Sequence, residues 1–240
     1  MKIEEHYNLA KDNLNGRLFA PYQREGVLWM LTMENQESGP KGGFLCDEMG
    51  LGKTVQVVST MLGNPQKSTL IIVPKSIITQ WVNEIAKFAP QMSVHVFDGP
   101  DRKLKEADVV IMPYSLLSTH EDTPIHKKNW DRVILDEAHE IRNKKSKLFK
   151  SVYRINSAIK WIVTGTPVFN SMEDFVSLCH FLGIDKALVQ GMTNKIKDIY
   201  ILRRTKDDLA KINERLRLPN CYFENVELDM FPDERQLYEF

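Results

Sequence analysis

What this sequence lacks narrows it first. No apolar run approaches the roughly 20 residues of a bilayer-spanning helix, so no helical membrane anchor is expected. The opening stretch MKIEEHYNLAKDN is polar and acidic, without the apolar centre of a secretory leader. Cysteine is scarce: Cys46, Cys179 and Cys221 are odd in number and have no metal-ligand spacing. They read as reduced thiols of an intracellular protein, not as a disulfide frame or a zinc site. No repeat, low-complexity tract, zinc finger, histone-reading module or localisation signal is visible. Neither sign of charge is in excess, because 32 Lys and Arg balance 32 Asp and Glu. A chain that coats nucleic acid non-specifically is usually basic, so any such contact here must come from a local patch.

What remains is an ordinary globular composition, 42% hydrophobic and 27% charged over 240 residues, long enough to bury a real core. Short β-rich runs alternate with longer helical ones. GGFLC (42–46), TLIIVP (69–74), VHVF (94–97), ADVVIM (107–112), DRVIL (131–135) and KWIVT (160–164) read as strands. TVQVVSTML (54–62) reads as a helix, and SIITQWVNEIAKF (76–88) sets Ile77, Trp81, Ile85 and Phe88 at helical spacing. This alternation predicts an α/β fold, a mostly parallel sheet with helices on both faces. Beyond residue 170, SMEDFVSLCHFLG reads as a helix stopped at Gly183, and NKIKDIYILRRTKDDLAKINERL as one charged helical stretch. CYFENVEL (221–228) alternates like a late strand, and DMFPDERQLYEF looks like the start of a further element.

Two motifs carry chemistry. CDEMGLGKT, Cys46 to Thr54, resembles a phosphate-binding loop, but Asp47 stands where the usual pattern has its first glycine. Gly50 and Gly52 let backbone N–H groups turn toward an anion. Lys53 would reach the outer phosphates of ATP, the Thr54 hydroxyl would hold Mg²⁺, and the following helix would point its N-terminus at the same phosphates. The second motif is RVILDEAH (132–139), an apolar strand ending in adjacent acids, with Asp136 83 residues after Lys53. Asp136 is placed to hold Mg²⁺, and Glu137 to orient or deprotonate the attacking water. Either motif alone is also explained by a turn; the pair in this order is not.

PYQREGVLWM (21–30), DEMGLGKT, DEAH, VTGTPVFN (163–170) and YILRRTKDDL (200–209) follow one another along the chain. Together they resemble the first RecA-like lobe of the Swi/Snf family of helicase-related ATPases, in helicase superfamily two. The resemblance runs from about residue 15 to the end. In that family Asp replaces the first loop glycine, which accounts for Asp47. It implies a nucleotide site made of Gln23 on the adenine and of Asp47, Glu48, Met49, Gly50, Leu51, Gly52, Lys53 and Thr54 around the phosphates. Lys53 and Glu137 would be catalytic, and Thr54 and Asp136 would hold Mg²⁺. Gln23 reads otherwise as a surface helix residue. Ala20 stands where the family often has a base, leaving Phe19 or Tyr22 to help hold the adenine.

The resemblance also implies a DNA-facing edge. Pro74, Lys75 and Ser76 match a motif that contacts one strand's backbone. Tyr114 and Ser115 match the next such motif, although Met112 and Pro113 depart from it. Trp81 reads as core. Thr164, Gly165, Thr166 and Pro167 match the segment coupling phosphate state to DNA grip; His139 would bond toward it, and Asn170 extends the match. IRNKKSKLFK (141–150), with Lys144 and Lys145, is either a solvated helix face or the local basic patch. Arg203 and Arg204 match paired family arginines, or pair with acids such as Asp207 and Asp208.

The implied activity is ATP hydrolysis driving movement along double-stranded DNA, to remodel nucleosomes or displace other bound proteins. A DEAH-type RNA helicase lobe and a non-catalytic nucleic-acid or partner-binding module are the alternatives. No arginine finger is recognisable, so a second RecA-like lobe is expected in a longer protein. Residues 1–228 would be the first lobe, extended by helices from about 171, and 229–240 the start of a connection. The place of action would be the nucleus of a eukaryote, otherwise the cytoplasm or a viral factory.

Overall fold

The apolar runs of the sequence come together as one parallel sheet. The computed structural model describes residues 2–18, 20–99, 103–119, 123–141, 143–165, 171–210 and 224, the side chains of residues 119 and 139 excepted. In chain order come α1 (Ile3–Asn13), α2 (Pro21–Asn35), β1 (Lys41–Leu45), α3 (Lys53–Gly63) and β2 (Thr69–Val73). A 3₁₀ turn (Lys75–Ile77) leads into α4 (Ile78–Phe88), followed by β3 (Val94–Val96), β4 (Val109–Pro113), α5 (Ser115–Thr119), α6 (Pro124–Lys127) and β5 (Trp130–Asp136). A second 3₁₀ turn (Ala138–Ile141) precedes α7 (Lys147–Tyr153), β6 (Ser157–Val163), α8 (Met172–Phe181), α9 (Lys186–Gly191), α10 (Thr193–Tyr200), β7 (Ile201–Leu202) and α11 (Lys206–Ala210). Two compact units divide the chain, Met1–Thr205 and Lys206–Phe240. The sheet lies in the first.

The strand order is β3-β4-β2-β5-β6-β1-β7, and every pairing is parallel. All five residues of β2 and of β4 are buried, which requires cover on both faces. Neighbouring residues on β6 show what supplies it, since successive side chains point to opposite faces. Trp161 packs edge-on against Trp29 of α2. Lys160 lies over the rings of Tyr153 on α7 and Phe181 on α8. Helix α2 therefore covers one face, and α7 and α8 the other. On α4, Ile78, Trp81, Ile85 and Phe88 form the buried stripe, and Ser146 and Ser171 cap α7 and α8 through their hydroxyls.

One expectation fails. The charged stretch after residue 193 is not one helix. It stops at Tyr200, and Ile201 and Leu202 pair alongside Phe44 and Leu45 as an edge strand. The unpaired side of β1 is the reason: the Cys46 N–H donates to the Leu202 carbonyl at 2.7 Å, so ladder bonds outweigh helix propensity. The continuation past 210, the late strand at 221–228 and the boundary near 228 lie outside the described residues.

Because every strand runs the same way, the segments that leave β1, β2, β4, β5 and β6 emerge at one edge of the sheet. That edge is where open α/β sheets bind ligands.

Candidate nucleotide site

The loop between β1 and α3 is shaped by its glycines. Gly52 caps α3 in the left-handed region, φ +77°. A side chain there would strike the amide nitrogen of Gln23, which donates to the Leu51 carbonyl at 3.2 Å. Gln23 is thus buried against the loop rather than displayed on a helix surface. Lys53 opens α3 and bends its ammonium back to the Asp47 carbonyl at 2.8 Å. It forms no ion pair among the described residues. Burial lowers its pKa, opposed by the charges of Asp136, Glu137 and Asp47.

The Asp47 carboxylate turns away from the cleft. It is wholly buried and bound by Arg204, through the backbone N–H at 3.1 Å, Nε at 2.9 Å and Nη2. Gln56 adds a donor at 3.1 Å. Arg204 also donates to the Tyr22 carbonyl, and the Arg204 carbonyl accepts from the Glu48 N–H at 3.0 Å. Only the backbone of Asp47 faces Lys53. The aspartate that replaces glycine is therefore a staple between the loop, α2 and the segment after β7. Arg204 spends its guanidinium chiefly on Asp47.

Asp136 ends β5 and is 8% exposed. It accepts from the Trp81 indole N–H at 2.7 Å and from the Glu137 N–H at 3.0 Å. Burial pushes its pKa up to about 6, against the lowering effect of the Trp81 bond. Glu137 is the single non-glycine residue with positive φ among those described, at 51°. Its N–H donates to the Val163 carbonyl at 2.9 Å, and its Oε2 stands 3.4 Å from the Thr164 hydroxyl. This strained backbone, costing about 1–3 kcal/mol, is held by bonds on both sides. A Cβ on Gly165 would lie 2.6 Å from Met49 and 3.2 Å from the Lys53 ammonium, so the β6 loop closes directly on the phosphate-loop residues. Thr164 and Gly165 thus come close to Glu137 and Lys53. Thr166, Pro167 and Asn170, with Phe19 and the side chain of His139, lie outside the described residues.

Lys53, Thr54, Asp136 and Glu137 line one cleft of about 480 Å³ together with Gln23, Met49, Gly50, Gly52 and a wall from α4 that includes Trp81 and Phe88. The α4 wall was missed in the sequence, where Trp81 read as core alone. It is core, 2% exposed, and a carboxylate donor as well. Tyr114 is a correction. Expected at a nucleic acid, it is 3% exposed and its hydroxyl donates to the Asp136 carbonyl at 2.9 Å, so it braces the end of β5 from within. Ser115, Ser76, Lys144 and Lys145 are exposed, and Lys75 pairs with Asp98 at 3.1 Å from a largely exposed position. Cys46, beside the loop, is buried with its thiol pushed up to about 12, too high to react.

The geometry agrees with what known proteins share with this chain. A model of the SNF2-related domain matches residues 22–192. The chain belongs to the SNF2-related family. It is 36% identical over 197 residues to an uncharacterised ATP-dependent helicase of Schizosaccharomyces pombe, a match covering 68% of this chain and 19% of that protein. Over 229 residues it is 30% identical to an ISWI chromatin-remodeling complex ATPase of Saccharomyces cerevisiae, covering 89% and 20%. The SWI2/SNF2 ATPase core of Sulfolobus solfataricus, solved in complex with dsDNA, superposes with a TM-score of 0.72 at 30% identity. That match covers 95% of this chain and 52% of the other. The SNF2-related chain thus spans about a fifth of these curated relatives and about half of the solved core, and its sheet is the expected RecA-like lobe.

Proposed function

We propose that this chain is the ATP-binding first lobe of a DNA-dependent ATPase that translocates on double-stranded DNA to displace or remodel what is bound there, nucleosomes included. The observation that carries the reading is the convergence of Lys53, Thr54, Asp136 and Glu137 at the ligand edge of the sheet, in a chain of the SNF2-related family. Relatives described as a chromatin-remodeling ATPase and as a DNA excision repair protein from Danio rerio, and the solved core in complex with dsDNA, support duplex DNA over RNA. The work would be done where the DNA is, in the nucleus of a eukaryote.

The residues fit Mg²⁺ carried in with ATP. Asp136 is a buried carboxylate whose hydrogen bonds among the described residues come from neutral N–H donors, and Thr54 lines the same cleft. Among the described residues no three His, Cys, Asp or Glu side chains gather to cage a bare metal, which suits an ion that would arrive with phosphate oxygens and water as its other ligands. When bound, Mg²⁺ neutralises charge on the phosphates. Lys53 would exchange the Asp47 carbonyl for phosphate oxygens, and the loop N–H groups would hold the others. Gln23 would stand at the adenine end. Glu137, its carboxylate steadied by Thr164, would align a water and take its proton. Thr164 and Gly165 would pass the state of that carboxylate to the following segment, with Thr166, Pro167, His139 and Arg203. Pro74, Lys75, Ser76, Ser115, Lys144 and Lys145 would meet the DNA backbone. A second lobe would supply the missing positive charge, worth roughly 10³–10⁵ in rate.

Glu137→Gln in the longer protein is expected to leave Mg·ATP binding intact and to reduce duplex-stimulated turnover roughly 10²- to 10⁴-fold. Unchanged turnover would contradict the reading, as would stimulation by single-stranded RNA and not by duplex DNA. The 240-residue chain by itself is expected to hydrolyse ATP slowly.

A further inference from the structure

Away from the nucleotide cleft, one stretch departs from the balanced charge of the whole. From Ile141 to Met172 the sequence has no Asp or Glu and seven Lys or Arg. Its centre is α7, beside a groove of about 350 Å³ lined by Leu117, Ser118, Lys147, Lys150, Ser151 and Arg154. Lys147, Lys150 and Arg154 recur at i, i+3 and i+7, so they share one face of the chain. All three are exposed, and Lys147 and Lys150 have no ion-pair partner among the described residues. A solvated helix face ordinarily interleaves acids with its lysines. Here like charges repel one turn apart, and the stretch offers no carboxylate to relieve them.

The charge stands at the rim of the groove, while the floor is neutral. Leu117 and Ser151 are buried, and the Ser151 hydroxyl is 3.1 Å from His126 Nε2. Exposed cations over a shallow neutral floor suit an extended polyanion better than a small enclosed anion. The groove is also separate from the ATP site. Helix α7 covers the face of the sheet opposite α2, whereas the nucleotide cleft is walled by α3 and α4. Helix α5, its other bank, starts at Ser115 directly behind β4, at the edge assigned to DNA.

We propose that the α5–α7 groove binds backbone phosphates of duplex DNA through Lys147, Lys150 and Arg154, carrying the contact from the sheet edge onto the face opposite the nucleotide. The inference rests on the reading that this chain acts on DNA. The test is anisotropy of a labelled duplex titrated with the 240-residue chain across a salt series. Lys147→Gln with Lys150→Gln is compared with Lys186→Gln and Lys195→Gln, which remove the same charge from exposed positions on α9 and α10. The groove variant is expected to bind roughly tenfold more weakly and to lower the salt slope by about 2. The control should keep the wild-type slope, and both should keep the wild-type melting temperature. A groove variant indistinguishable from the control overturns the groove alone. No salt-dependent duplex binding by the unmodified chain overturns the groove together with the DNA reading beneath it.

Discussion

Arg132 and Asp136 stand on the same face of β5, at opposite ends of the strand, and their charges are met in opposite ways. Arg132 is 1% exposed. Its guanidinium donates to both oxygens of the buried Glu34 carboxylate, at 2.7 and 2.5 Å, to the Asn64 carbonyl at 2.8 Å and to the Thr69 hydroxyl at 3.3 Å. Glu34 accepts in addition from Trp161 and Asn64. Asp136 is nearly as buried, but among the described residues its carboxylate receives hydrogen bonds from neutral N–H donors, and its pKa climbs to about 6. At the closed end the chain neutralises its own charge, because an unpaired buried ion costs several kcal/mol. At the ligand edge it leaves that neutralisation to whatever binds. The contrast separates a buried charge that holds a fold from one that the proposed Mg²⁺ would balance.

The closed end can be broken with the largest effect. Glu34→Ala strands the Arg132 guanidinium and is expected to cost about 3–5 kcal/mol, read from the urea midpoint. Glu34→Leu combined with Arg132→Met should recover most of that loss. A double variant as unstable as the single one would show that the pair is not what balances the charge. An intermediate case sharpens the comparison. Asp47 is buried like Glu34, but its partner Arg204 retains 12% side-chain exposure. Asp47→Ala should therefore cost less, about 2 kcal/mol, and should weaken nucleotide binding because the loop loses its staple. Unchanged stability and affinity would mean that the loop is held by its backbone alone.

Much of this was legible in the sequence, for a physical reason. Strands buried on both faces are continuous apolar runs, so β2, β4 and β5 announced themselves. Phosphate and metal chemistry admit few residue types, so Lys53, Thr54, Asp136 and Glu137 stood out as candidates, and the fold brings them to one cleft. What stayed hidden depends on distant partners. Strand β7 forms because β1 has an open edge, which nothing near Ile201 reveals. Tyr114 and Trp81 turn their polar atoms inward to Asp136, and a sequence motif does not state where a side chain points. Asp47 marked the family, but its role waited on Arg204, 157 positions later.

The central claim is that Asp136 is held unbalanced for a metal–nucleotide ligand. Its pKa in the folded chain, about 6, is raised from 3.8. Ionising it therefore destabilises the fold, with no penalty below about pH 4 and the full penalty above about pH 6. At neutral pH the penalty is about 3 kcal/mol. The most direct measurement is thermal unfolding of the wild-type chain and of Asp136→Asn, with and without saturating Mg·ATP. Without ligand, Asp136→Asn is predicted to be the more stable at neutral pH, with the gain vanishing toward pH 4. With Mg·ATP the difference should largely close, because the wild type gains about 2–3 kcal/mol at a ligand concentration near 100 Kd and the variant gains little. An Asp136→Asn chain that is less stable without ligand, or that is stabilised by Mg·ATP as much as the wild type, would contradict the account.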